Sequence, residues 1–466
     1  MPVRPFWLQI DFIVFLNTEC ELSNMTSEVL IMNPSAIALA SDSAVSTLGQ
    51  RKVFPSANKL FALSKFEPVG VMVYGNASLM ELPWETIIKE FRRHLWDRSH
   101  DTLKGYADEF IGYLESGCIS FSNIYQDNYI KTAIAGYFGH LNEKITENVE
   151  EQLANQTDAG KGVELDQIKK IIKTEIDESY KQWKNTKNIE SIGTDFNNEI
   201  LKKYGDEVDR LIKEEFEKIP LTKGQKEKLK QIAGDLFSKF PDGVNNRGTS
   251  GVVIAGFGKQ ECLPSYVAIQ VECCIANKLK YRAHQYVKVD PEEKRQASIT
   301  AFAQGETIAA FIEGIDPKYK QFQKNYLSRL FEDYSNMLIE NVFGGTETER
   351  RGIKKELDSI SQDLLDGYWS DLVKVQREQY INPIVRVITV LPKQELAEMA
   401  ESMVNLVSFK KKVTAIDETV GGPIDVAVIS KGDGFIWIKR KHYFKPELNM
   451  KFFENYFRRQ EELEDE

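Results

Sequence analysis

The stretch Leu22–Val45, LSNMTSEVLIMNPSAIALASDSAV, decides how the chain folds. It holds two short apolar runs, EVLIMN (Glu28–Asn33) and AIALAS (Ala36–Ser41). Runs of that length bounded by turn residues read as buried strands. The Asn33-Pro34 pair between them is a turn signal, so the two runs form neighbouring strands. Asp42 closes the second run in an Asp-Ser pair, and Met25 stands directly before Thr26. Thr26 is either a β-branched strand residue or the first residue of the working protein.

Working outward, Val69–Tyr74 (VGVMVY) is another strand, ended by a Gly-Asn turn. Leu82–Trp96 turns helical: Trp84, Ile87, Ile88, Phe91 and Leu95 recur at helical spacing and form a stripe for packing on a sheet. Pro83 suits the first turn. A second helix spans roughly 122–151. Residues 141–247 are Lys- and Glu-rich, with amphipathic stripes at Leu165, Ile168, Ile172 and Ile176 and at Val208, Leu211, Ile212, Phe216 and Ile219. QTDAGKG (156–162) reads as a loop between the amphipathic helices of this block.

Strands resume at GTSGVVIAGFG (248–258), SYVAIQVECCIA (265–276) and ITAFAQG (299–305). From Pro317 to about Gln379 the pattern is helical again, with Leu327, Leu330, Tyr334 and Leu338 as one stripe. After NPIVRVITVL, a helix starting near Pro392 carries Leu396, Met399, Met403 and Leu406, and a Gly-Gly turn leads to a hairpin with KGDG at its tip. Without the helical blocks 141–247 and 317–391, the order is strands, two helices, strands, helix, strands. That order suits an α+β sandwich of two sheets covered by helices.

Composition narrows the function classes. The 466 residues are 42 % hydrophobic and 28 % charged, as in soluble globular chains. A net charge of −10 argues against a partner bound by phosphate neutralisation, so no nucleic acid is expected. Five cysteines, Cys20, Cys118, Cys262, Cys273 and Cys274, form no C-x-x-C pair and no disulfide framework, which points to the reducing cytoplasm. The five histidines show no close ligand spacing, so neither a metal nor a cofactor is expected. FWLQIDFIVFL (6–16) is too short to span a bilayer, and its Asp11 and lack of a small-residue cleavage site do not suit a signal peptide. No membrane partner is expected. Residues 1–25 read as a leader, a propeptide or sequence upstream of a misplaced start, and RRQEELEDE ends the chain as an acidic tail within a 441–466 extension.

The remaining core, 26–140, 248–316 and 392–440, resembles the N-terminal nucleophile hydrolases of the proteasome β-subunit and bacterial HslV-like branch. Four motifs carry the resemblance: AIALASDSAVSTLGQ (36–50), KVFPSANKLFAL (52–63), VGVMVYGNA (69–77) and DETVGGPIDVAVISKGDGFIWI (417–438). It implies a four-layer αββα sandwich, here with two inserted helical segments. In that family the mature chain begins with a threonine, and an aspartate of an Asp-Ser pair follows sixteen residues later. Counting back sixteen from Asp42 lands on Thr26.

The resemblance assigns further roles. Lys59, in NKLF, matches the lysine that lowers the nucleophile's pKa, with one extra residue of spacing. Gly75 matches the glycine whose N–H forms the oxyanion hole, within one position. Asp417 matches the aspartate before the Gly-Gly pair, here Gly421 and Gly422, and Ser43 completes the Asp-Ser pair. Two family serines are replaced, one by Val420 and the other near Gln304. Family members assemble into rings or stacks, act on peptides or unfolded proteins, and work with an unfoldase. With no Walker A motif in this chain, that ATPase would be a separate protein.

The chemistry explains the residue types. A threonine hydroxyl needs a base within hydrogen-bond reach. A free α-amino group, with a pKa of about 7.7–8.0, supplies one on the same residue. A lysine stabilises the alkoxide, and a carboxylate such as Asp42 fixes that lysine. An internal Thr26 has only an amide nitrogen, which is no base. Thr26 is freed either by a start at Met25 followed by methionine removal, or by self-cleavage of a 1–25 propeptide. Each residue also has a plain reading: Asp42 as a turn cap, Lys59 as a solvated lysine, Gly75 and Gly421 as turn glycines. Three functions stand side by side: a threonine peptidase, a proteasome-like subunit without catalysis, and a small-molecule amidase with the same nucleophile.

Overall fold

The computed structural model describes residues 15–16, 27–46, 53–54, 57–116, 123–158, 165–241, 248–290, 292, 296–414, 421–442, 444–451 and 454. The fold is α+β. Along the chain come β1 (Glu28–Asn33), β2 (Ala36–Ser41), β3 (Leu60–Ala62) and β4 (Val69–Gly75). Six helices follow: α1 (Trp84–Leu95), α2 (Leu103–Glu115), α3 (Asn123–Asp158), α4 (Leu165–Asn185), α5 (Phe196–Glu215) and α6 (Lys223–Asp235). Next are β5 (Ser250–Gly256), β6 (Ser265–Ile275), β7 (Lys278–Lys288) and β8 (Ser298–Ala303). The rest is α7 (Gly305–Glu313), α8 (Pro317–Asn341), α9 (Glu347–Val375), α10 (Asn382–Val390), α11 (Lys393–Val413), β9 (Asp425–Ser430) and β10 (Gly434–Lys439). The chain forms two compact units, one of Met1–Leu60, Cys262–Ser265 and Lys288–Glu466, the other of Phe61–Glu261 and Tyr266–Val287.

The first unit is built on a six-stranded sheet in the order Phe15–Leu16, β8, β1, β2, β9, β10. Its long strands pair antiparallel, while Phe15–Leu16 runs parallel to β8 opposite Thr300 and Ala301. Asn33 makes the β1–β2 turn. Its side-chain oxygen accepts from the N–H of Ser35 (3.0 Å) and of Ala36 (3.1 Å), an Asx turn that fixes the register. Its amide nitrogen donates to the carbonyls of Ile388 and Leu391, tying the end of α10 to the hairpin. Alternate residues of the sheet (Val29, Ile31, Ala36, Ala38, Ala40) pack with α7, α10 and α11 in one core. The alanines of β2 meet Ala397 and Ala400 of α11, small residues that let a helix approach the sheet closely. The other residues of β1 and β2, Leu30, Met32, Ile37 and Leu39, are equally buried.

The second unit has a five-stranded sheet in the order β7, β6, β5, β4, β3 and a core of its own. Trp84 opens α1 and donates its indole N–H to the Ser250 hydroxyl at 2.8 Å. Phe91 of α1 meets Phe110 of α2 edge to face at 4.9 Å. The boundary expected between residues 140 and 141 lies inside α3, and the buried Ile134, Phe138, Leu141 and Ile145 run straight across it into one core with α4–α6.

Several elements differ from the sequence expectation. α2 is a full helix whose apolar spacing, broken by Gly105 and Gly112, is easily passed over. QTDAGKG does not begin as a loop: α3 continues to Asp158, and residues 159–164 lie outside the described ones. Leu165 stands exposed at the start of α4, while the inner face continues to Trp183. NPIVRVITVL, inside the 317–391 block expected to be helical, forms α10 and buries Val385 and Ile388 at helical spacing despite its β-branched content. The α8 stripe does not face a core: Leu330 and Tyr334 are exposed, and the buried residue of α8 is Ser335. Among the described residues no helix is long and apolar enough to cross a membrane.

Candidate active site

Strand register alone gathers the candidate residues of the first unit at one end of its sheet. Glu28 opens β1 opposite Ser41, the last residue of β2. Asp425, the first of β9, pairs with Ser41 from the other side, and Ala303, the last of β8, pairs with Glu28 across a bulge. Ser27, Asp42, Gln304 and the 421–424 segment each adjoin one of those ends.

Asp42 is the hub. Its backbone N–H donates to the Ser27 carbonyl at 3.1 Å, and the Ser27 N–H donates to Asp42 Oδ1 at 3.1 Å. Lys59 Nζ donates to the same Oδ1 at 2.6 Å and lies 3.0 Å from Glu28 Oε1. Gly421 N–H donates to Asp42 Oδ2 at 3.2 Å. The neighbouring Ser43 hydroxyl donates to the Pro423 carbonyl, so both residues of the Asp-Ser pair hold the loop that carries Gly421 and Gly422. Gly422 has φ +82°, a left-handed backbone that favours glycine.

The charges are almost wholly desolvated: Glu28 is 0 % exposed, Asp42 1 % and Lys59 6 %. Charges persist at such depth only when paired and hydrogen-bonded. For Lys59 the largest influence is burial, which works to lower its pKa. The negative charges of Glu28 and then Asp42 outweigh it, and the pKa is raised above 10.5. Lys59 is therefore a fixed ammonium at neutral pH, able to stabilise an anion and unable to act as a base.

A second lysine stands within electrostatic reach. Lys411, in the last turn of α11, is brought down to about 8 by burial, partly opposed by the charge of Asp42. Among the described residues no group of three or more His, Cys, Asp and Glu is placed to hold a metal ion.

The remaining expected residues fall as follows. Gln304 precedes α7 in a left-handed conformation, φ +56°, unusual for a non-glycine residue. Gly75 belongs to the second unit, where it ends β4 opposite Ser250 with φ +78°. Thr26 and Asp417 lie outside the described residues. Glu28 and Lys411 were not singled out in the sequence. The signal for Glu28 is its isolation, one acid entering an apolar strand; Lys411 sits in a Lys410-Lys411-Lys412 run that reads as ordinary helix-end charge. No protein-family model and no curated protein matches the sequence.

Proposed function

We propose that the chain is a proteasome-like threonine hydrolase that cleaves amide bonds of peptides or unfolded proteins in the cytoplasm, with the Thr26 hydroxyl as nucleophile. The observation that carries this reading is the buried Lys59–Asp42 pair, with Asp42 also gripping Ser27, the residue next to Thr26. In this reading Lys59 supplies a positive charge that stabilises the Thr26 oxygen as it loses its proton and attacks the carbonyl. Its raised pKa leaves base catalysis to the Thr26 α-amino group. The amine takes the hydroxyl proton as the oxygen attacks the carbonyl, then passes it to the leaving amine. Gly75 N–H is the assigned oxyanion donor, Asp417 a supporting acid, and the four-layer sandwich the finer fold. A ring or stack of copies, fed by a separate ATPase, is the assembly that goes with it.

One observation favours a second reading, a proteasome-like subunit without catalysis. Glu28 sets a second buried carboxylate on Lys59, and two negative charges around one ammonium disfavour an alkoxide nearby. Gln304 and Val420 also stand where the family has serines.

Covalent labelling separates the two. A chain shown by N-terminal sequencing to begin at Thr26 is expected to take up one equivalent of a β-lactone or peptide epoxyketone on Thr26, and Thr26→Ala none. A correctly processed chain that takes no label would count against catalysis and favour the second reading.

A further inference from the structure

Independently of the catalytic reading, the helical hairpin of α8 and α9 in the first unit carries an apolar face that the described residues leave uncovered. Tyr319, Phe322, Tyr326, Leu330, Tyr334 and Met337 are each between 48 % and 61 % exposed. Their spacings of three, four, four, four and three residues follow the helical period and set all six on one side of α8. Among the described residues the first three rings meet one another, Tyr319 and Phe322 tilted with centroids 6.4 Å apart and Phe322 stacked on Tyr326 at 6.1 Å. The Gln323 amide donates to Tyr368 Oη at 2.6 Å, which sets Tyr368 of α9 beside this row, with the exposed Leu364 and Ile360 one and two turns before it.

Six such side chains present on the order of 700 Å². The largest patch of an ordinary monomer is about 300–600 Å², and a stable interface needs roughly 800 Å² per partner. The three α9 residues bring this face to that size.

Charge along α8 identifies the occupant. Residues 317–331 carry Lys318, Lys320, Lys324 and Arg329 and no acid, whereas 332–341 carry Glu332, Asp333 and Glu340 and no base. Arg329, Asp333 and Glu340 make no ion pair among the described residues, although they flank the apolar row. An anionic membrane would attract one half of this helix and repel the other. A second α8 laid antiparallel sets basic half against acidic half at both ends, and a parallel one sets like on like.

We propose that two copies of this chain associate through α8, paired antiparallel about a two-fold axis near its middle. The partner's row then covers the aromatic row, and Arg329 of each copy faces the acidic half of the other. Isologous pairing of one patch with itself is the commonest way identical chains associate.

Sedimentation velocity on the full chain tests this. The wild type is expected to sediment as a dimer, or as a larger assembly built from dimers. Tyr326→Glu, Arg329→Glu and Asp333→Arg are surface changes expected to keep the circular dichroism spectrum and to weaken association by roughly tenfold or more. An equimolar mixture of Arg329→Glu and Asp333→Arg is expected to associate again, because only the mixed pair restores opposite charges. A monomeric wild type, or an assembly that none of the three changes disturbs, overturns the proposal. Failure of the mixture to recover overturns the antiparallel pairing.

Discussion

Lys59 is held between two carboxylates, and all three are almost wholly buried, so its removal should be severe. Lys59→Met leaves Glu28 and Asp42 uncompensated and is expected to cost about 3–5 kcal/mol. Glu28→Gln keeps a hydrogen-bonding group and one ion pair, and should cost no more than about 2 kcal/mol. Urea melts of the two variants decide: equal losses would sink this account. Because the folded pKa of Lys59 lies above 10.5, its pairing stabilises fully below that value and fades as pH rises through the higher folded one.

Lys411 behaves oppositely. Between about 8 and 10.5 the folded chain binds fewer protons than the unfolded one, so the penalty of holding it charged acts below about 8 and lifts as pH rises toward 10.5. Roughly half neutral at pH 8, Lys411 should outpace freely exposed lysines toward an amine-reactive reagent, while Lys59 stays unmodified. Peptide mapping after brief labelling reads both. Asp42 and Lys59 were legible because a spacing and a short motif single them out. Glu28 was not, since its partner is set by a contact thirty-one positions away in the chain.

At the scale of elements, Gly75 ends β4 at φ +78°, and an added Cβ would lie 2.9 Å from the Thr249 carbonyl oxygen, a fixed backbone atom. Gly75→Ala is expected to cost about 1–3 kcal/mol. Gly421→Ala, with no described residue other than its chain neighbours within 4 Å of the added Cβ and no positive φ, should change stability by less than about 0.5 kcal/mol. Thermal melts of the pair compare them, and similar losses would show that the backbone argument is wrong. Periodicity served α1 well, where Trp84, Ile87, Ile88, Phe91 and Leu95 are all buried. The same periodicity in α8 marked an apolar face without saying what covers it, because spacing encodes the face and only tertiary contact supplies the cover.

At the scale of the molecule, composition divided the chain where helices replace strands, but sheet pairing divides it elsewhere. β4 pairs with β5 across more than 170 residues, so 61–261 and 266–287 share one core that no local window reveals. The leader presents the same difficulty at the other sheet. Of residues 1–25 the structure describes Phe15 and Leu16, a two-residue parallel strand at the edge beside β8. The interior strands β1, β2 and β9 pair without it, and the Ser27–Asp42 clamp belongs wholly to residues after Thr26. At about 0.5–1.5 kcal/mol for each hydrogen bond lost, removing so short a strand should cost no more than about 3 kcal/mol. A chain initiated at Met25 and trimmed to Thr26 is therefore expected to fold, with the same far-ultraviolet spectrum and a urea midpoint only modestly below that of the full chain. A collapse of stability on trimming would make the leader part of the folded core, and Thr26 could then serve as a chain terminus only after cleavage of an already folded precursor.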